Sequence, residues 1–152
     1  MIDIKNMLET EFENYLHERI PITEEMSFKV EEFKLNKVRI GAKLKPNINH
    51  KSTAFGGSIN SLTTVCGWAL VFNNMLDIDP NAHIVIQKSS IQYLKPIETD
   101  FVAECELTDE RKKEKFVNTF RKLGKARIEV DVIIRDGEEI FAQFKGYYVV
   151  FR

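Results

Sequence analysis

The chain has almost no net charge: 22 basic residues stand against 23 acidic ones, a formal −1. A binder of nucleic acid or of a membrane surface shows a cationic excess, so this balance argues against both partners. Cysteine is scarce. Cys66 and Cys105 form no CxxC, and no His/Cys cluster has zinc spacing, so no metal site is expected. Both cysteines fall in apolar stretches and read as buried free thiols of a reducing compartment. The start, Met1-Ile2-Asp3-Ile4-Lys5, lacks the basic-then-apolar pattern of a signal peptide. No apolar run reaches about 18 residues, the length of a membrane span. These absences predict a cytoplasmic protein. Linkers, internal repeats and low-complexity segments are missing too. Residues 1–152 therefore read as a single domain, long enough to bury a core without disulfides.

What is present is strong periodicity. Ile4, Met7, Leu8, Phe12, Tyr15 and Leu16 recur at helical spacing with acids between them, and Pro21 stops the pattern. A hairpin follows. Phe28 and Val30 keep one strand phase, Phe33 and Leu35 the other, and the slip at Glu31-Glu32 reads as a bulge. Val38, Ile40, Ala42 and Leu44 then alternate until Pro46. Asn47 to Gly57 reads as a loop, with Ser58 as a helix N-cap. Ile59 to Leu76 carries no charge at all, which marks a helix buried on most sides. Strand signals return from His83 to Ile97 and from Phe101 to Leu107. Thr108 or Asp109 caps a short charged helix with Phe116, Val117, Phe120 and Leu123 on its apolar side and Gly124 as its stop. Ile128 to Ile134 alternate strictly, Asp136-Gly137 is a hairpin turn, and Ile140 to Phe151 returns.

The order is helix, two strands, buried helix, then four strands with a helical insert. It predicts an α+β fold, one curved antiparallel sheet wrapped around one long central helix. The last strands are apolar on both faces, with Phe141 and Val149 on one and Ile140 and Phe144 on the other. One sheet face therefore needs a cover, and a second copy is the simplest; a homodimer or higher homo-oligomer is expected.

Three segments together resemble the hot-dog superfamily: Phe55-Gly56-Gly57-Ser58, the passage Ser90-Ile91-Gln92-Tyr93-Leu94-Lys95-Pro96-Ile97, and the terminal pair of long strands. More narrowly, Asn47 through Ser58 followed by Cys66-Gly67-Trp68, with Lys125-Ala126-Arg127 and Gly146-Tyr147-Tyr148, resembles the YiiD C-terminal thioesterase family over nearly the whole chain. That family's domain occurs alone or behind an acetyltransferase domain, which these residues do not include. The resemblance implies acyl-CoA or an acyl-carrier protein as ligand. The acyl-phosphopantetheine arm would then be substrate, with no cofactor.

Thioester hydrolysis needs donors for a developing oxyanion, a nucleophile or activated water, and a channel for the pantetheine arm. Gly56-Gly57 at a helix N-terminus offers unpaired amides at the positive end of the helix dipole. By resemblance, Gly57 is the oxyanion donor, although two glycines also suit a plain tight turn. Asn49 stands at the spacing of a water-positioning Asn, or is an Asx-turn residue. Thr64 falls where related enzymes carry a carboxylate on the central helix. No Asp, Glu or His occurs between Ser58 and Asn74. Ser61, Thr63 and Thr64 can equally hydrogen-bond the preceding helical turn. Phe55 replaces a common His and makes an apolar wall or a core aromatic. His50 is the nearby base candidate, or simply a solvated loop residue. His17 and His83 read as structural. Ser89 and Ser90 fall on opposite strand faces, so at most one meets a pocket. The cations Arg111, Lys112, Lys113, Lys115, Arg121, Lys122, Lys125 and Arg127 suit phosphates or an acidic carrier protein, or form a solvated face; Lys125 and Arg127 match the family pattern.

The functions to separate are then a thioesterase, a non-catalytic acyl-thioester binding module, a hot-dog dehydratase or hydratase, and a purely structural dimerisation module. The dehydratase needs His and carboxylate in the pocket, and the central helix offers neither.

Overall fold

The computed structural model describes residues 7–152; Ile4 and the Met1–Lys5 start lie outside them. The first helix, α1, spans Glu9–Arg19 and a short α2 spans Ile22–Glu25. Strands β1 (Phe28–Phe33) and β2 (Lys37–Ala42) form the expected hairpin. The central helix α3 runs Gly56–Met75, followed by β3 (His83–Tyr93) and β4 (Phe101–Glu106). Helix α4 (Glu110–Leu123) leads to β5 (Lys125–Asp136) and β6 (Glu139–Phe151). The strands make one antiparallel sheet in the order β1-β2-β4-β5-β6-β3. Helix α3 touches all six strands, so the sheet wraps the uncharged helix as its sequence demanded.

The bulge is where the phase slips, between Val30 and Glu32. Asp109 caps α4 by accepting from the Arg111 and Lys112 amides, and Gly124 closes it at φ 70°. Gly137 takes the positive-φ place in the last hairpin, φ 59°. Three local expectations need correction. Leu44 leaves β2 for a helical backbone, φ −63°, because Pro46 sits in a 3-10 turn at Lys45–Asn47. Leu35 lies in the hairpin turn and is exposed, and Leu123, in the last turn of α4, is 69% exposed.

The core is stratified along α3. Leu62, Cys66, Ala69 and Leu70 face the sheet and are fully or almost fully buried. Each Leu-sized side chain sealed this way is worth about 1.5–3 kcal/mol. Phe12 of α1 stacks on Phe33 of β1 (centroids 4.0 Å) and reaches over α3 to meet Phe72 (5.5 Å) and Trp68 (6.3 Å). This aromatic stack fixes α1 across the C-terminal half of α3 and leaves the N-terminal half without that cover.

The two sheet edges differ. The Val30 amide of edge strand β1 donates to Glu13 Oε1 at 2.8 Å and the Phe33 amide to Glu9 Oε1 at 3.3 Å. Helix α1 thereby blunts that edge. Among the described residues, edge strand β3 has no such cover along its 11 residues; Val85, Ile86 and Tyr93 are exposed.

Candidate functional site

The loop before α3 is built by one side chain. Asn49 Oδ1 accepts from the Lys51 (2.9 Å) and Thr53 (3.2 Å) amides, and its Nδ2 donates to Thr53 Oγ1 (2.8 Å) and the Ala54 carbonyl (3.4 Å). An asparagine side chain has two donors and two acceptor lone pairs, so Asn49 is spent on its own loop. The loop is pinned by Ala54 N–H to the Ile97 carbonyl (2.8 Å) and Phe55 N–H to the Asn47 carbonyl (2.7 Å). Asn47 is itself buried, donating to the Met26 and Lys43 carbonyls.

Helix α3 therefore begins earlier than its sequence suggested. The N-cap is Phe55, without a side-chain cap bond; Ser58 is buried in the first turn and caps nothing. The pinned loop, not a hydroxyl, sets the start. The first intrahelical bond of the junction runs from Ile59 N–H to the Phe55 carbonyl, 3.0 Å. The amides of Gly56, Gly57 and Ser58 precede it and have no partner within the helix. The Phe55 ring folds over Gly57 so closely that any Cβ there would run into it. The ring is 55% exposed, so it is not part of the core. Tyr93 of β3 lies beside Gly56 and donates from its hydroxyl to the Gly56 carbonyl at 3.2 Å.

Between the loop, the first turn of α3 and the β3–β4 connection is a crevice of about 340 Å³, lined by Thr53, Gly56, Ile59, Tyr93, Lys95 and Ile97 among others. A larger hollow, about 650 Å³, lies along β3, β5 and β6 around Ser90, Asp131 and Lys145, away from the free amides.

Gly57, Ser61, Thr64 and Trp68 follow one another along one stripe of α3, with Asn60 beside it. The hydroxyls on this stretch are committed. Ser61 donates to the Gly57 carbonyl (2.8 Å), Thr63 to those of Ile59 (3.1 Å) and Asn60 (3.0 Å), and Thr64 to that of Asn60 (2.7 Å). The Thr64 carbonyl also accepts from the Tyr148 hydroxyl at 2.7 Å. Burial pushes the Tyr148 phenol far above its ordinary pKa, so it stays a neutral donor. Gly67 leaves the room for it, since a Cβ there would strike the Tyr148 hydroxyl.

The other named residues lie elsewhere. His50 is exposed in the loop. Lys125 and Arg127 pair with Phe151 and Val149 of β6, in the row facing away from the buried Tyr148 and Val150. They stand where β3 starts, His83 opposite Phe151, whereas Gly56 meets β3 at its other end. Within one protomer they do not join the Gly57 turn. The Arg127 guanidinium donates to Gln87 Oε1 (3.3 Å) and lies over the Tyr147 ring (5.2 Å). Ser89 pairs with Gly146 and Ser90 with Lys145, which puts them on opposite faces as alternation requires. His17 bonds Thr23 Oγ1 at 2.9 Å and His83 packs on Phe151, both structural. Cys66 and Cys105 are free and buried with Sγ atoms 3.5 Å apart. Among the described residues no group of His, Cys, Asp or Glu is placed to hold a metal, and no helix is long and apolar enough to cross a membrane.

Sequence reasoning passed over one residue at this turn. Tyr93 lies within the Ser90–Ile97 passage, but its reach to Gly56 depends on sheet order.

Comparison with known proteins places this arrangement. Residues 9–152 match the family model described as "Putative thioesterase (yiiD_Cterm)". A Chlorobaculum tepidum protein of unknown function superposes with TM-score 0.88 at 24% identity, over 95% of this chain and 94% of that one. A "putative thioesterase" from Shewanella oneidensis gives TM-score 0.79 at 26% identity, over 95% and 97%. A thioesterase from Haemophilus influenzae gives 0.74 at 12% identity, over 100% and 96%. The fold is the hot-dog fold shared by these neighbours.

Proposed function

Because the chain belongs to the "Putative thioesterase (yiiD_Cterm)" family, we propose that it is an acyl-thioester hydrolase whose reacting carbonyl docks at the N-terminal turn of α3. The observation that carries this reading is the set of bare Gly56, Gly57 and Ser58 amides beside an open crevice. Those donors sit at the positive end of the α3 dipole, where an oxyanion is stabilised as it develops. The Gly57 N–H is the principal donor. Phe55 and Tyr93 wall the approach. Water adds to the carbonyl carbon, the C–S bond breaks, and the thiolate takes the proton released; no cofactor is called for.

The ligand class is an acyl group on coenzyme A or on the phosphopantetheine of a carrier protein. Arg111, Lys112, Lys113, Lys115, Arg121, Lys122, Lys125 and Arg127 support a phosphate-bearing or acidic ligand: among the described residues none makes an ion pair, while Arg39 and Arg135 on the sheet share Glu104. The uncovered β3 edge supports a homodimer in which two copies pair along that edge, since a long bare strand is otherwise an aggregation site. Two free buried thiols favour a reducing, cytoplasmic setting.

A second reading is a non-catalytic acyl-thioester binding module. It is favoured by the lack of any carboxylate or imidazole on α3 and by Thr64 Oγ1 being engaged with the Asn60 carbonyl.

One experiment separates them. The protein is incubated with short, long and aryl acyl-CoAs and with acyl-carrier protein. Thiol release and thermal stabilisation are followed together, since a ligand of the native state raises apparent stability. Release with stabilisation is the expected result. Stabilisation alone selects the binding module, and neither signal rejects both.

A further inference from the structure

Over much of the outward sheet face, cations are matched by acids. Arg39 and Arg135 share Glu104, Lys37 reaches Glu106, and Lys145 holds Glu129. One corner departs from this. Lys125 and Arg127 of β5, Lys88 of β3, and Arg121 and Lys122 in the last turn of α4 are all exposed. Among the described residues none of them makes an ion pair. Glu129 and Asp79 border the corner but are held by Lys145 (3.1 Å) and Arg152 (3.3 Å). The Lys88 ammonium and the Arg127 guanidinium lie over the Tyr147 ring, 5.7 and 5.2 Å from its centroid. An aromatic face holds a cation in place without cancelling its charge.

The same corner is apolar between its charges. Strand register sets Lys125, Phe151 and His83 in one row across the sheet, and Arg127, Val149 and Val85 in the next. Beside them is a hollow of about 630 Å³, lined by Val85, Ile86, Gly124, Val149, Phe151 and Arg152 among others. Val85, Ile86 and Leu123 are exposed there, Leu123 standing between Lys122 and Gly124. A lone phosphate is held by donors that converge on one point. These cations are instead spread over two strands and a helix end, with aliphatic groups among them. Such a layout complements an extended acidic face that brings apolar residues of its own.

We propose that this corner docks an acidic carrier protein, and that the carrier-borne acyl thioester is the substrate class of the Gly57 turn. The proposal rests on the acyl-thioester reading given above and deepens it. Within one protomer the corner and the Gly56 crevice stand at opposite ends of β3. A two-fold axis through the bare β3 edge runs the two strands antiparallel. The His83 end of one copy then meets the Tyr93 end of the other, and a carrier docked on one copy faces the crevice of its partner.

The test presents one acyl group in two ways, on coenzyme A and on carrier protein, to the wild type and to a Lys125→Glu/Arg127→Glu variant. Both side chains are exposed, and the melting temperature checks that the variant folds. The kcat/KM ratio of carrier-borne to CoA-borne substrate is expected to fall about tenfold in the variant, through KM, because reversed rim charges repel an acidic partner. Rising salt should lower the same ratio in the wild type. Lys34→Glu, in the β1–β2 turn, should leave it as it is. An unchanged ratio in the double variant overturns the proposal. So does an equal loss on both substrates, which would assign the cations to phosphate. A changed oligomer in sedimentation with the ratio intact overturns it too, and gives the corner to a second copy. Carrier protein stripped of its acyl group separates docking from turnover. If it binds the wild type more tightly than the variant in calorimetry while no thioester is bound or hydrolysed, the docking surface stands and the thioester reading falls. If it binds both proteins alike, the docking surface falls.

Discussion

The stripe of α3 that faces away from the sheet has two halves, and they are treated oppositely. In the C-terminal half, Trp68 and Phe72 lie under Phe12 and Tyr15 of α1 in one aromatic stack. In the N-terminal half, Gly57, Ser61 and Thr64, with Asn60 beside them, have small or polar side chains and, among the described residues, no covering helix. Neither half carries a charge, so hydropathy alone does not divide them. What divides them is whether the residues can seal a surface. Aromatic rings contribute large buried area to α1; glycine and hydroxyl side chains leave backbone amides within reach of a ligand. One helix is thus anchored at one end and offered at the other.

Several measurements would break or sharpen this division. The largest effect belongs to the side of α3 that faces the sheet, behind the anchored half. Leu70→Ala opens a cavity among residues sealed by α3 and the sheet, and is expected to cost about 2–5 kcal/mol of stability in denaturant unfolding, with the ranking of acyl ligands unchanged. A change in that ranking would mean that the halves are not independent. Asn49→Ala should cost about 1–2 kcal/mol, since the loop that launches α3 loses four side-chain bonds. Thiol release would then fall together with the melting temperature. A fall in release at full stability would instead restore Asn49 as a group that touches substrate.

Alkaline pH should erode the contact between α3 and the sheet. Burial, reinforced by the hydrogen bond to Cys105, pushes the Cys66 thiol well above its ordinary value. Above about pH 8.5 the unfolded chain loses this proton while the folded protein retains it. The unfolded state then binds fewer protons, so stability falls as pH rises. Equilibrium unfolding from pH 7 to 10 should show that slope, and Cys66→Ala should flatten it. The smallest effect is assigned to Thr64→Val. Its hydroxyl already serves the helix through the Asn60 carbonyl, so turnover should change less than about threefold. A loss of a hundredfold would make Thr64 a catalytic group after all.

Much of the fold was legible in the sequence because periodicity and turn chemistry report it directly. The bulge at Val30–Glu32, the Asp109 cap, and the stops at Gly124 and Gly137 all stand where local pattern placed them. The start of α3 was not legible. Ser58 is the better capping residue by type, but the loop pinned by Asn49, Ile97 and Asn47 fixes the helix at Gly56. The site was legible in part. Gly56 and Gly57 were visible as amides without a helical partner, whereas Phe55, a pocket wall or a core aromatic by sequence, is exposed and not core. Lys125 and Arg127 were grouped with them by resemblance, while sheet register places them on the outward row at the far end of β3.

The division of α3 is tested most directly by amide chemical-shift mapping during titration with an acyl-CoA that raises the melting temperature. The expected result is perturbation of the Gly56, Gly57, Ser58 and Asn60 signals, with those of Cys66 to Met75 unmoved. Shifts centred instead on Lys125, Arg127 and Val149, with the Gly56–Ser58 amides silent, would contradict the account and move the ligand to the outer face of the sheet.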